Sequence, residues 1–135
     1  MKVFAIRLKP NDDLKQYLKN FAIEQNIQAG FILSGIGSLK QATIRFANQD
    51  MSTVLSEKFE ILSLNGTIAN QGLHLHIALA NQQGQTIGGH LDNGCIIYTT
   101  AEIVIGTIEE FRFQRTFDEQ TGYQELEIQY SPFSS

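Results

Sequence analysis

From Gly72 to Ala80 the chain alternates large aliphatic residues (Leu73, Leu75, Ile77, Leu79) with His74, His76, Ala78 and Ala80. Strict period-two alternation calls for a β-strand with two unlike faces, because successive side chains point to opposite sides of the pleat. The aliphatic set belongs to a core, and the histidines and alanines share the other face. A polar stretch, Asn81-Gln82-Gln83-Gly84-Gln85, separates this run from a second one, Thr86 to Leu91, so the segment reads as a hairpin. A three-residue loop, Gln82-Gln83-Gly84, puts glycine where such loops need a positive φ. Asn81 then faces Gln85, and counting back along the pair sets His76 opposite His90. A two-residue turn would slip the register by one and send His90 to the other face.

That register gathers all three histidines of the chain. Directly opposed residues have β-carbons about 4.5–5.5 Å apart, and His74 lies about 7 Å from His76 along the same strand and face. Three imidazoles so placed can hold a divalent metal at nitrogen–metal distances of about 2.0–2.1 Å and leave a fourth position open. The competing reading is three exposed or hydrogen-bonded histidines on a solvated sheet face. Gly88 and Gly89, beside His90, permit close approach of a backbone, ligand or neighbouring subunit, or simply relieve a twisted strand. Glu60 and Glu102, each among apolar strand residues, are candidates for orienting a metal-bound histidine or acting as a base. The alternative is a carboxylate on the solvated face or paired with Arg45.

Upstream, Met1 to Leu8 reads as a first strand and lacks the long apolar stretch of a signal peptide. After Lys9-Pro10, Asn11 or Asp12 can cap a helix in which Leu14, Tyr17, Leu18, Phe21 and Ala22 form one apolar stripe, ending near Asn26. Everything afterwards reads as strand: Gly30–Gly37, Ala42–Phe46, a long pair or bent strand over Phe59–Ile68, the hairpin, Cys95–Ile105, Phe111–Arg115 and Leu126–Tyr130, with a turn at Asp118–Gly122. One helix followed by a meander of strands is an α+β fold, with a mostly antiparallel sheet and the N-terminal helix packed on it. The 135 residues form a single domain, without linker, repeat or low-complexity segment.

No apolar run approaches the roughly 20 residues that span a membrane. One cysteine, Cys95, excludes an intramolecular disulfide framework, and cytoplasm is the simplest location. With Ile96 and Ile97 as its neighbours, that thiol reads as buried and inert rather than as a nucleophile paired with His90. Net charge is -4, with ten scattered Lys and Arg residues. Nucleic-acid affinity comes largely from basic residues neutralising phosphates, so composition argues against this domain gripping DNA alone. Ser34-Gly35-Ile36-Gly37 lacks the third glycine and following helix of a dinucleotide loop, and reads as glycines at a strand bend or bulge.

The order Asn11-Asp12-Asp13-Leu14, Leu33-Ser34-Gly35-Ile36-Gly37-Ser38-Leu39, Phe59-Glu60-Ile61-Leu62-Ser63-Leu64-Asn65-Gly66-Thr67, Leu73-His74-Leu75-His76-Ile77 and Gly88-Gly89-His90-Leu91 resembles the PPC domain (plants and prokaryotes conserved). The resemblance runs from about Met1 to Glu109, with the His-x-His and Gly-Gly-His-Leu elements its most specific part. It implies an α+β domain that assembles as a homotrimer. It also implies a zinc site at His74, His76 and His90, and partner-protein binding through Lys58, Phe59, Glu60, Ile61 and Leu62. Lys58 stands where plant members carry arginine, and the two are not equivalent at a recognition surface. The sequence contains no Arg-Gly-Arg-Pro core of an AT-hook, the element that enters the minor groove in plant members, so a DNA-binding role rests on analogy.

The resemblance, in a chain without a complete catalytic constellation, implies a homotrimeric assembly or protein-interaction module with a histidine-bound metal and a transcription-related role. The alternative is a metal-dependent, hydrolase-like enzyme in which three imidazoles lower the pKa of bound water toward about 7. A third reading is a DNA-binding protein that uses its assembled surface.

Overall fold

The computed structural model describes residues 1–130. Strand β1 (Lys2–Leu8) leads into helix α1 (Leu14–Glu24), followed by β2 (Gly30–Arg45), β3 (Thr53–Leu55), β4 (Phe59–Ala69), β5 (Gly72–Ala80), β6 (Thr86–Leu91), β7 (Ile96–Thr107), β8 (Phe111–Asp118) and β9 (Tyr123–Tyr130). The class is α+β, with antiparallel pairing throughout these strands.

The helix forms where its stripe predicts, burying Leu14, Leu18 and Ala22. Its cap is Asp13, one or two residues later than the sequence suggests. Asp13 has the extended backbone a cap needs and accepts from the Gln16 amide at 3.1 Å. Asn11 instead takes a left-handed φ of 75° in the preceding turn, and Asp12 accepts from the Lys9 amide. The other carboxylate oxygen of Asp13 accepts from the Gly94 amide at 2.8 Å, which ties the helix start to the segment before β7. At the far end Asn26 supplies the left-handed residue, at φ 49°, that lets the chain leave the helix.

Seven strands form one sheet in the order β1-β7-β2-β4-β5-β6, with β3 on β2. The sequence suggests two strands between Gly30 and Phe46; the structure has one, β2, sixteen residues long. Register shifts against β7 fall after Ile32, Gly37 and Leu39, and the one after Gly37 is a bulge of the kind its glycine suggests. They bend β2 without ending it, so its first part pairs with β4 and its last residues, Ile44 and Arg45, pair with β6. Strands β2, β4, β5 and β6 thereby close into a ring. The run Phe59–Ile68 is likewise one strand, with a register shift between Ile61 and Ser63. The short β3 carries too few residues to signal itself in the sequence.

Inside lies one apolar cluster that joins α1 to the inner faces of the strands, including Leu75, Ile77, Leu79, Leu91, Ile97 and Ile103. Cys95 is part of it. Its thiol donates to the Thr43 carbonyl at 3.3 Å, and burial pushes it up to about 11, which makes it the inert residue the sequence suggests. Strands β8 and β9 stand apart as a two-stranded sheet. They are held by Phe113 against Ala29 and Ala69, and by bonds from the Phe113 amide and the Arg112 guanidinium to Gln28.

Candidate metal centre

The hairpin of β5 and β6 has the register its loop dictates. The Gly84 amide donates to the Asn81 carbonyl at 2.9 Å, the Asn81 amide to the Gln85 carbonyl at 3.0 Å, and Gly84 has φ 79°. His76 stands directly opposite His90. Leu75, Ile77 and Leu79 are buried, while His74 and His76 are exposed on the outer face and His90 is half-buried. A β-carbon on Gly89 would lie 2.7 Å from the Arg45 carbonyl oxygen, so a bare backbone is what allows the end of β2 to reach β6 and place Arg45 opposite His90.

The ring centroids are 5.0 Å apart for His74–His76, 5.4 Å for His74–His90 and 5.8 Å for His76–His90. One nitrogen from each ring can be chosen so that all three lie within 4.8 Å of one another. Around a tetrahedral zinc, ligand nitrogens stand about 3.3 Å apart, so the set needs to draw in by no more than about 1.5 Å to ligate one ion. Charge favours the same outcome. Burial, then the Arg45 and Lys15 charges, push His90 down to about 4. Partial burial, then His76 and Arg115, lower His74, against a pull in the other direction from Glu125. Imidazoles held neutral at pH 7 are in the ligating form. The donor set therefore fits a zinc-type ion, with His74, His76 and His90 as its ligands. When bound, such an ion would supply Lewis acidity and an open fourth position.

Of the remaining residues singled out in the sequence, Glu60 and Glu102 do not join the histidines. Glu60 is exposed opposite Ala80, four residues and about 13 Å along β5 from His76. Glu102 is exposed on β7, between Arg7 of β1 and Ile36 of β2. In the stretch Lys58–Leu62, Phe59 and Ile61 are buried core residues, and Lys58, Glu60 and Leu62 point outward. The Lys58 ammonium rests 4.6 Å above the Tyr98 ring. Arg45 donates to the Gln49 carbonyl at 3.3 Å rather than pairing with either glutamate.

Sequence reasoning misses the second wall of the site. The β8–β9 hairpin lies beside the histidines, and Arg115 donates to the Thr67 hydroxyl at 3.2 Å, Thr67 being the residue opposite His74. A cleft of about 640 Å³ opens over His74 and His90, bounded by Arg45, Arg115, Tyr123 and Glu125. No local pattern in residues 111–130 announces this docking, because it depends on where a separate sheet lands.

The Plants and Prokaryotes Conserved (PCC) domain profile matches residues 1–109. The chain belongs to that family of α+β domains. Over 129 residues, 96% of this chain, it is 54% identical to the "Bifunctional protein GlmU" of a Synechococcus strain. It spans only 21% of that protein's length and 20% of its counterpart in a second strain. It is 29% identical to AT-hook motif nuclear-localized protein 13 of Arabidopsis thaliana over 76% of this chain and 26% of that protein. Among solved structures, a hypothetical protein from Salmonella superposes with TM-score 0.94 at 36% identity, covering 96% of this chain and 94% of that one. A metal-containing protein from Archaeoglobus fulgidus superposes with TM-score 0.79 at 31% identity, covering 93% of each chain.

Proposed function

We propose that this protein is a homotrimeric assembly or protein-interaction module that holds a zinc ion at His74, His76 and His90 and serves a transcription-related role. The observation that carries the metal is the convergence of three imidazole nitrogens within 4.8 Å on an outer sheet face. The metal-containing relative from Archaeoglobus adds weight. Recurrence of the domain as about a fifth of one bifunctional protein and a quarter of a nuclear-localized one supports a module that works by being joined to other things. Leu33, Ile36, Leu62 and Tyr98, each 46–50% exposed, give the sheet an apolar outer face for a copy or a partner to cover. DNA contact is not part of this reading, since net charge is -4 and the AT-hook core is missing.

Metal analysis of protein purified without a histidine tag tests it. Wild type should carry about one zinc per chain, and His76→Ala should lose it. Wild type with no metal, or His76→Ala with an undiminished content, would refute the site. The cleft above His74 and His90 favours a second reading, a metal-dependent hydrolase using the same three histidines. It predicts hydrolysis of a simple ester or phosphoester that rises with zinc loading and vanishes in His76→Ala.

A further inference from the structure

The charge around the three histidines is unusual for a place meant to hold a cation. Three imidazoles bring no negative charge to a dication, and among the described residues no carboxylate belongs to the donor group. Two guanidiniums flank it instead. Arg45 is the direct cross-strand partner of His90, so its side chain leaves the same face of the sheet with β-carbons about 5 Å apart. Arg115 reaches in from β8 on the other side and is fixed by its bond to the Thr67 hydroxyl, next to His74. Each guanidinium carries five donors. Among the described residues Arg45 uses one of them, on the Gln49 carbonyl, and Arg115 one, on Thr67. Among the described residues neither forms an ion pair with a carboxylate within 4.0 Å. Asp50 and Glu125 line the same cleft, which offsets the two arginines and leaves the charge of the ion uncompensated.

We propose that the cleft binds a small oxyanion, a carboxylate or a phosphate, with one oxygen at the open position of the metal and the others on Arg45 and Arg115. The proposal rests on the metal reading above and names the ligand class of that site. Guanidinium forks match carboxylate and phosphate oxygens in a plane, and two of them on opposite sides of an ion define a slot for one such group. At about 640 Å³ the cleft has room for a small metabolite around the anionic group. The competing occupant of the fourth position is the Glu125 carboxylate, which sits on the cleft wall.

Cobalt(II) in place of zinc makes the site visible, because its absorption bands change with a new ligand. The full chain is loaded with cobalt and titrated with inorganic phosphate and, separately, acetate, followed by absorption and by calorimetry. Wild type should show a saturable spectral change with at least one of them. Arg45→Gln and Arg115→Gln should each weaken it by about ten- to a hundredfold, with cobalt content unchanged. Arg115→Lys keeps the charge and the stem without the fork, and should fall between wild type and Arg115→Gln. Glu125→Gln should retain both cobalt and the anion response.

A chain that loads no cobalt overturns the metal reading and this proposal together. A chain that loads cobalt but answers neither anion overturns this proposal alone. So does an anion response that survives in the Arg45→Gln, Arg115→Gln double variant. Loss of cobalt in Glu125→Gln would assign the fourth position to that carboxylate and equally rule out an external oxyanion.

Discussion

Single residues set the histidine cluster, and two positions expose it to test. His90, pushed down to about 4, stays neutral in the folded, metal-free protein while the unfolded chain takes up a proton below about pH 6.5. The unfolded state then binds more protons between the two values, so stability falls as pH drops through that window and is unaffected above it. Metal-free wild type should lose more melting temperature between about pH 7 and about pH 4.5 than His90→Asn, whose carboxylates are the same. Equal losses would count against the depressed imidazole. Gly66 acts through the backbone. It has φ 142°, and a β-carbon there would lie 1.9 Å from the His74 carbonyl oxygen. Gly66→Ala must push β5 away from β4 at His74, at a cost of about 3 kcal/mol in a urea melt, with weakened metal binding. An unchanged melt would contradict the close approach. His74, His76 and His90 are legible in the sequence because a three-residue loop fixes one register. Arg45 and Arg115 are not, because their place beside the histidines comes from pairings and docking made far along the chain.

At the scale of elements, the β8–β9 hairpin is the least anchored part of the described chain. A two-stranded hairpin is marginal by itself, and this one shares no ladder with the main sheet. Phe117, Tyr123, Ile128 and Tyr130 are more than half exposed, so the hairpin contributes little core beyond Phe113. Phe113→Ala should therefore act locally, at about 3 kcal/mol for a buried aromatic. Hydrogen exchange should show protection lost over residues 111–130 while β5 and β7 keep theirs. Uniform loss across the chain would mean that the hairpin and main sheet unfold as one. The helix illustrates a complementary lesson. Its apolar stripe is readable in Leu14, Leu18 and Ala22, but its cap is decided by Asp13, whose second oxygen finds the Gly94 amide eighty-one residues away. Strand β2 teaches the same thing in reverse, since its glycines mark bends that the flanking pairings carry straight through.

For the whole molecule the prediction is assembly. Light scattering at micromolar concentration should return a trimer, and Leu62→Glu, placing charge on the half-exposed outer face, should shift it toward monomer. A monomeric wild type would sink the assembly reading. Among the described residues no helix is long and apolar enough to cross a membrane. The sequence by itself determined the α+β class, the helix stripe, the inert Cys95 and the facing of His76 with His90. Each follows from a local period or from the steric demand of one loop, and such forces act between residues close in the chain. Only the tertiary structure decided that β2 bends to meet both β4 and β6, and that Glu60 and Glu102 lie away from the histidines. The tertiary structure also brings Arg45 and Arg115 to frame them. Those arrangements depend on which edges pair and on where a separate hairpin docks, and hydrophobic burial, being non-directional, leaves no short-range pattern from which to read them.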